Sequence, residues 1–305
     1  MGKRARLIYN PTSGREEMRR RLPDILQRLE QGGYETSCHA TTAKYDAMHA
    51  AQDAVKAKFD VVIAAGGDGT LNEVISGLAT APIEERPTLG LIPVGTTNDF
   101  ARALGIPKKW EQAVELIVRG DSRTIDLGQI NDKYFVNIAA GGSLTELTYE
   151  VPSRLKTLLG QAAYYLKGFE KLPGLQPMSL NIKHDNGEIE GEFMVFLIAN
   201  SNSVGGFEKL APGARIDDGL LDVVLLRKIN VAELFLVVAA VSRGEHLSDP
   251  RFVHFQTTQL QVTSDRYTQL NVDGEYGGTL PCTCRILPGH LNMFIDITGD
   301  SSYRG

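Results

Sequence analysis

A chain of 305 residues, 42% hydrophobic and 23% charged, is long enough for a sizeable core and for two domains of ordinary size. Its formal net charge of -5 and pI near 5.7 exclude the strongly basic surface that usually marks a nucleic-acid-binding domain. The apolar run Leu234 to Val241, with Glu233 at its edge, falls well short of the ~20 residues of a membrane-spanning helix.

Leu7-Ile8-Tyr9 is too short for the core of a signal peptide, and Arg6 stands where N-myristoylation after Gly2 would want Ser or Thr. Three cysteines, Cys38, Cys282 and Cys284, are an odd count without zinc spacing, as expected of free thiols in a reducing compartment. No repeat or low-complexity tract interrupts the chain. A cytoplasmic protein with no nucleic-acid partner is expected.

Ala5 to Tyr9 predicts a short strand, Asn10-Pro11-Thr12-Ser13-Gly14 a turn, and Glu16 to Gln31 a helix stopped at Gly32-Gly33. Hydroxyls and N–H groups in that turn could hold phosphate, although a plain connection has the same composition. Tyr34 to Ala40 alternates as a strand, and Thr41-Thr42 reads as the cap of a helix from about Ala43 to Lys58.

The next stretch is the most informative. Asp60 to Ala65 is a buried parallel strand by its apolar run, Gly66-Gly67-Asp68-Gly69 is a turn, and Thr70-Leu71-Asn72 opens a helix. A glycine turn feeding a helix N-terminus presents N–H groups and a positive dipole end to an anion, above all phosphate. Asp68 would repel phosphate unless a cation such as Mg2+ stands between them.

Leu89 to Val94 is the fourth buried run, followed by Gly95-Thr96-Thr97-Asn98-Asp99-Phe100-Ala101-Arg102 at another helix start. In an open parallel sheet the loops at the carboxyl ends of neighbouring strands meet at one rim, so Asn10, Thr41, Asp68 and Asp99 are expected in one site.

After a helix at Trp110 to Arg119 the alternation of helix and strand ends. Thr124 to Ile130, Lys133 to Ala139, Met178 to His184, Ile189 to Asn200 and Leu220 to Leu226 read as strands, with Asn186-Gly187 as a hairpin signal. Phe255 to Val262, Gln269 to Val272 and Thr283 to Leu287 extend them, so a mostly antiparallel second domain begins near Asp126. Ser153 to Lys171 carries an apolar stripe beside Arg154, Lys156, Lys167 and Lys171, which suits a helix packed on its own sheet or one lying on an anionic membrane.

Arg215 to Asp222 gathers Asp217, Asp218 and Asp222 around Gly219, a solvated turn or a hard-cation site built from Asp218 and backbone carbonyls. Asp273-Gly274-Glu275 puts two acids at a strand end, either of which could act as a general base if it faces the crevice.

Taken in order, Asn10 to Gly14, Gly66 to Thr70, Pro93 to Arg102 and Asp273-Gly274-Glu275 resemble the diacylglycerol kinase catalytic-domain family over nearly the full length, its soluble bacterial members above all. The Gly-Gly-Asp-Gly-Thr element is shared with NAD kinases; Asn98-Asp99-Phe100-Ala101-Arg102 and Asp273-Gly274-Glu275 favour a lipid kinase. Sphingosine and ceramide kinases are similar.

The resemblance implies an α/β fold: a parallel-sheet nucleotide-binding domain over 1–125 with 289–305 returning to it, and a β-rich lipid domain over 126–288. It implies ATP against Asn10, Pro11, Thr12, Ser13, Gly14, Thr41, Gly66, Gly67, Gly69, Thr70, Leu71, Asn72 and Thr96. Asp68 would organise Mg2+ directly or through water, with Asp99 and Asp126 completing the network. Glu275 would take the proton of the primary hydroxyl of diacylglycerol, and a structural Mg2+ would sit on the Asp218 carboxylate and the carbonyls of Arg215 and Leu220. Lys167 would assist catalysis, Arg15 would stand where relatives often have lysine, and the protein would be a homodimer in transient contact with the inner face of the membrane.

Overall fold

The computed structural model describes residues 2–95, 98–142, 176–202 and 211–296. Thr96, Lys167 and the helix expected over Ser153 to Lys171 lie outside the described residues, as does the side chain of Arg15.

The first half alternates strand and helix: β1 (Lys3–Tyr9), α1 (Ser13–Gln31), β2 (Tyr34–Ala40), α2 (Asp46–Lys56), β3 (Val61–Gly66), α3 (Asp68–Ala79), β4 (Thr88–Pro93), α4 (Asp99–Ala103) and α5 (Trp110–Arg119). Strands β2, β1, β3 and β4 pair side by side in parallel. All of β3 is buried, and its residues divide strictly by parity. Val61, Ile63 and Ala65 pack with Met18, Ile25 and Leu29 of α1 and with Trp110, Val114 and Ile117 of α5. Val62 and Ala64 pack on the opposite face with Ala47 and Ala51 of α2 and Leu71, Val74 and Leu78 of α3. Helices on both faces explain why this strand reads as unbroken apolar sequence rather than as alternation.

The second half holds β5 (Ser122–Ile130), β6 (Lys133–Phe135), β7 (Ile138–Gly142), β8 (Met178–His184), β9 (Gly187–Ala199), β10 (Leu221–Arg227), α6 (Val231–Arg243), β11 (Phe252–Thr257), β12 (Gln259–Ser264), β13 (Gln269–Val272), β14 (Glu275–Thr279) and β15 (Cys282–Phe294). Its pairings are antiparallel, in the order β14-β13-β7-β9-β8-β12-β15, with β10 on β9 and β11 on β10. Their apolar faces make a separate core around Phe135, Phe193, Phe196, Ile198 and Val262. Cys282 and Cys284 are free thiols inside it; burial pushes the Cys282 thiol up to about 12.

Strand β15 joins the two halves into one 15-stranded sheet. Its start pairs with β12 (Val262 opposite Cys282), its later part with β5 (Ile125 opposite Leu291), and Met293 lies beside Leu89 of β4 in parallel. An irregularity between Leu287 and Leu291 lets one strand serve both neighbourhoods.

Several elements depart from expectation. α2 starts at Asp46 rather than Ala43, because the Asp46 carboxylate accepts the N–H (2.7 Å) and hydroxyl (3.0 Å) of Thr42, fixing the preceding residues as a loop. Lys133 to Ala139 is two strands, parted where successive N–H groups of Val136, Asn137 and Ile138 turn to the Asp273 carboxylate. Phe255 to Val262 is broken at Thr258, whose N–H (2.6 Å) and hydroxyl (2.8 Å) go to Asp185. The apolar run after Glu233 is helix α6, opened by a reciprocal bond between the Asn230 and Glu233 side chains and backbones. Among the described residues no helix is long and apolar enough to cross a membrane.

Candidate active site

Four strand ends build one rim. The Asn10 N–H donates to the Ala65 carbonyl (3.1 Å), stitching the end of β1 to β3, and the Thr41 N–H donates to the Tyr9 carbonyl (2.9 Å) from the end of β2. Asn10 Oδ1 accepts from the N–H (2.9 Å) and hydroxyl (2.8 Å) of Thr12, which shapes the turn through Pro11 into Ser13 and Gly14 at the start of α1.

The third and fourth loops touch backbone to backbone. A Cβ on Gly95 would come within 2.5 Å of the Gly67 Cα, and one on Gly66 within 2.5 Å of Thr70 Oγ1, so these two glycines are demanded by packing. Gly69 differs: a Cβ there would meet nothing within 4 Å. The first turn of α3 is therefore bare on that side, and its N–H groups are presented to any anion that enters.

Asp68 lies in that first turn with its carboxyl raised above the ordinary range, first by burial and then by the charge of Asp99; backbone N–H groups of Asp99, Phe100 and Asn98 act in the opposite direction. Its carboxylate thus sits at the start of α4, beside Asp99, whose own carboxylate is 3.5 Å from Arg102. Asn98 holds this loop in shape with a left-handed backbone and an amide clipped to Gly95 (Nδ2 to carbonyl 2.7 Å, Oδ1 from N–H 3.2 Å). Asp68 and Asp99, two acids that repel each other next to a helix N-terminus, would suit a hard divalent cation, which would supply the positive charge they lack.

The opposite wall comes from the second half. The Asn72 Nδ2 of α3 donates to Asp273 Oδ2 (3.1 Å), in the turn between β13 and β14. Glu275 opens β14 on the exposed side of that turn, with the Lys44 ammonium 3.1 Å from its Oε2. The neighbouring Glu73 accepts the N–H groups of Tyr45 (2.9 Å) and Ala47 (3.2 Å), anchoring the loop that carries Lys44. The structure thus brings Asn10 to Gly14, Thr41, Gly66 to Asn72 and Asp99 to one rim, and Glu275 contacts the loop after β2 through Lys44.

Sequence reasoning misses Lys44, Glu73 and the inward turn of Asp273. For Asp273 a signal exists, since Asp-Gly is a two-residue hairpin turn; for Lys44 there is none.

Asp126 lies on β5. Its buried carboxylate accepts the N–H groups of Gly219 and Gly289, both at 2.7 Å, which ties the acidic turn to the irregularity in β15. Asp218 there accepts the Leu220 N–H (3.0 Å) and is raised by burial, with Asp222 and Asp126 adding to it. The Arg215 side chain is turned to Asp217 (3.1 Å). Among the described residues no cluster of three or more His, Cys, Asp or Glu is arranged around a metal, although one carboxylate with two backbone carbonyls would need none.

Residues 4–130 match the diacylglycerol kinase catalytic domain, and residues 145–295 match the YegS C-terminal NAD kinase beta sandwich-like domain. The chain is 56% identical to a diacylglycerol kinase of Bacillus subtilis (strain 168), covering 95% of this chain and 96% of the relative. It is 48% identical to a diacylglycerol kinase of Staphylococcus aureus (strain MRSA252), over 96% and 93%. A diacylglycerol kinase structure from Bacillus anthracis str. Sterne shares the fold with a TM-score of 0.76 at 24% identity, covering 97% of this chain and 98% of that one. The match of residues 4–130 to the catalytic domain, together with near-full-length identity to these relatives, makes the chain a member of the diacylglycerol kinase family.

Proposed function

We propose that the protein transfers the γ-phosphoryl group of ATP, with Mg2+, to the primary hydroxyl of diacylglycerol, releasing ADP and phosphatidic acid. The observation that carries this reading is the Asn72–Asp273 bond, because it ties the glycine loop of α3 to the turn from which Glu275 projects.

In this reading residues 1–125 with 289–305 hold the nucleotide and 126–288 the lipid. The phosphates lie on Asn10 to Gly14, Thr41, Gly66 to Asn72 and Thr96, where helix N–H groups meet negative charge. Mg2+, when bound near Asp68 and Asp99, neutralises charge on the transferring group. Glu275 accepts the hydroxyl proton as the alcohol attacks, and since the alcohol is otherwise a poor nucleophile at neutral pH, its placement decides turnover. Lys167 and Arg15 add positive charge. A second Mg2+ at Asp218 with the Arg215 and Leu220 carbonyls holds the acidic turn. Because the acceptor lives in a bilayer, the protein works on the cytoplasmic face of the membrane, and the family resemblance makes it a homodimer in this reading.

The test is a panel of acceptors with labelled ATP and Mg2+: diacylglycerol, sphingosine, ceramide and NAD. Phosphatidic acid is expected as the main product. NAD phosphorylated faster than any lipid, or no lipid product from folded protein, would overturn the reading.

A further inference from the structure

We propose that Asp273 is a positioning residue: its carboxylate locks the turn before β14 against both the β6–β7 junction and α3, and so sets where Glu275 stands relative to the nucleotide loop. This rests on Glu275 as the proton acceptor.

Val272 pairs with Glu275 across β13 and β14, leaving Asp273 and Gly274 as a two-residue connection with φ of 47° and 89°. Left-handed backbone at both positions is the hairpin turn that Asp-Gly serves, and nothing about that turn requires the aspartate side chain to fold inward. Here it does. Oδ1 accepts the N–H groups of Asn137 (3.0 Å) and Ile138 (2.9 Å), and Oδ2 accepts the N–H of Val136 (2.8 Å) and the Asn72 amide (3.1 Å). The Asp273 N–H returns a bond to the Ile138 carbonyl (3.0 Å).

None of those four donors carries a formal charge, so the carboxylate is held by dipoles alone while burial pushes it up to about 6. A group so disfavoured by desolvation is a costly way to close a turn that Asn-Gly would close as well. Four bonds on two oxygens also leave no place for a substrate hydroxyl, which separates Asp273 from the role given to Glu275. What the arrangement achieves is distance. Asn72 lies two residues past Thr70 on α3, Glu275 two residues past Asp273, and one carboxyl group fixes the gap between them.

The experiment compares Asp273→Asn, Glu275→Gln and the double variant, measuring kcat, KM for ATP and the melting temperature. Asn keeps the shape and tolerates the backbone but places an N–H donor against N–H donors. We expect Asp273→Asn to lower kcat by roughly tenfold or more with KM for ATP within about threefold, because misplaced reacting groups cost turnover before binding. In the Glu275→Gln background the same change should cost less than about threefold further, the mark of two residues acting through one group. Equal losses in both backgrounds, or wild-type turnover in Asp273→Asn with Glu275→Gln inactive, would overturn the positioning role alone; wild-type turnover in Glu275→Gln would overturn the base and this proposal together. Should Asp273→Asn not fold, Gly274→Ala strains the turn through its φ of 89° with no atom within 4 Å to clash, and undiminished kcat there would also overturn it.

Discussion

Lys44 Nζ stands 3.1 Å from Oε2 of Glu275, a contact between residues 231 apart in the chain. Both side chains are 62% exposed, and the lysine is raised above its ordinary value chiefly by its bond to Glu275. An exposed pair contributes little to folding. Lys44→Met should therefore leave the melting temperature within about 2 °C of wild type, by the usual scale for such pairs. It should lower kcat/KM by roughly tenfold by removing the cation that holds the Glu275 carboxylate, on the reading that Glu275 takes the hydroxyl proton. Calorimetry with steady-state kinetics checks this, and a large melting shift with intact kinetics would reverse it.

Two glycines give opposite outcomes. Gly95→Ala forces a Cβ to 2.5 Å from the Gly67 Cα and 2.8 Å from Asn98 Oδ1, and should destabilise the fold by about 1–3 kcal/mol. Gly69→Ala meets no protein atom and lies within α3, so it should melt at or above wild type, while ATP affinity falls on the proposed reading that phosphate lies on this open side. Urea titration and nucleotide calorimetry separate the two.

Removing one acceptor at Asp126 should be expensive. Asp126→Asn offers a single carbonyl oxygen to the N–H groups of Gly219 and Gly289, and the unpaired donor should cost about 1–3 kcal/mol in urea unfolding.

The Mg2+ proposed at the acidic turn has its own readout. Mg2+ without nucleotide should raise the melting temperature of the wild type, by linkage of binding to folding, and Asp218→Asn should abolish that rise. An unchanged rise in the variant would remove Asp218 as a ligand.

Burial, with Arg86 and Arg285 nearby, lowers His290 from 6.5 to about 4. Between those values the unfolded chain binds more protons than the folded one, so this residue makes stability fall as pH drops from 6.5 towards 4. His290→Asn should flatten that part of the profile in urea unfolding at pH 7 and pH 5. An unchanged slope would assign the acid sensitivity to other groups.

Much of this architecture is legible in the sequence, and the rest fails for physical reasons. The bounds of Tyr34 to Ala40 and Trp110 to Arg119 coincide with β2 and α5, because glycine punctuation and periodicity agree there. The breaks at Val136 to Ile138 and at Thr258 are imposed by carboxylates, Asp273 and Asp185, more than 70 residues away in the chain, and no local pattern announces them. At the site, the turns after β3 and β4 follow from their glycines, but Asp273-Gly274-Glu275 reads as a strand end with two acids when it is a turn and a strand start with one acid turned inward and one exposed.

Strand β15 carries a consequence for dissection of the protein. Residues 1–125 expressed by themselves would lose the strand that lies along β4, leaving an unpaired border of amides and carbonyls open to association with another copy. The sheet of the first half is completed only by a strand that follows the whole second half in sequence, so truncation before residue 282 would yield an adhesive fragment, not a free-standing unit.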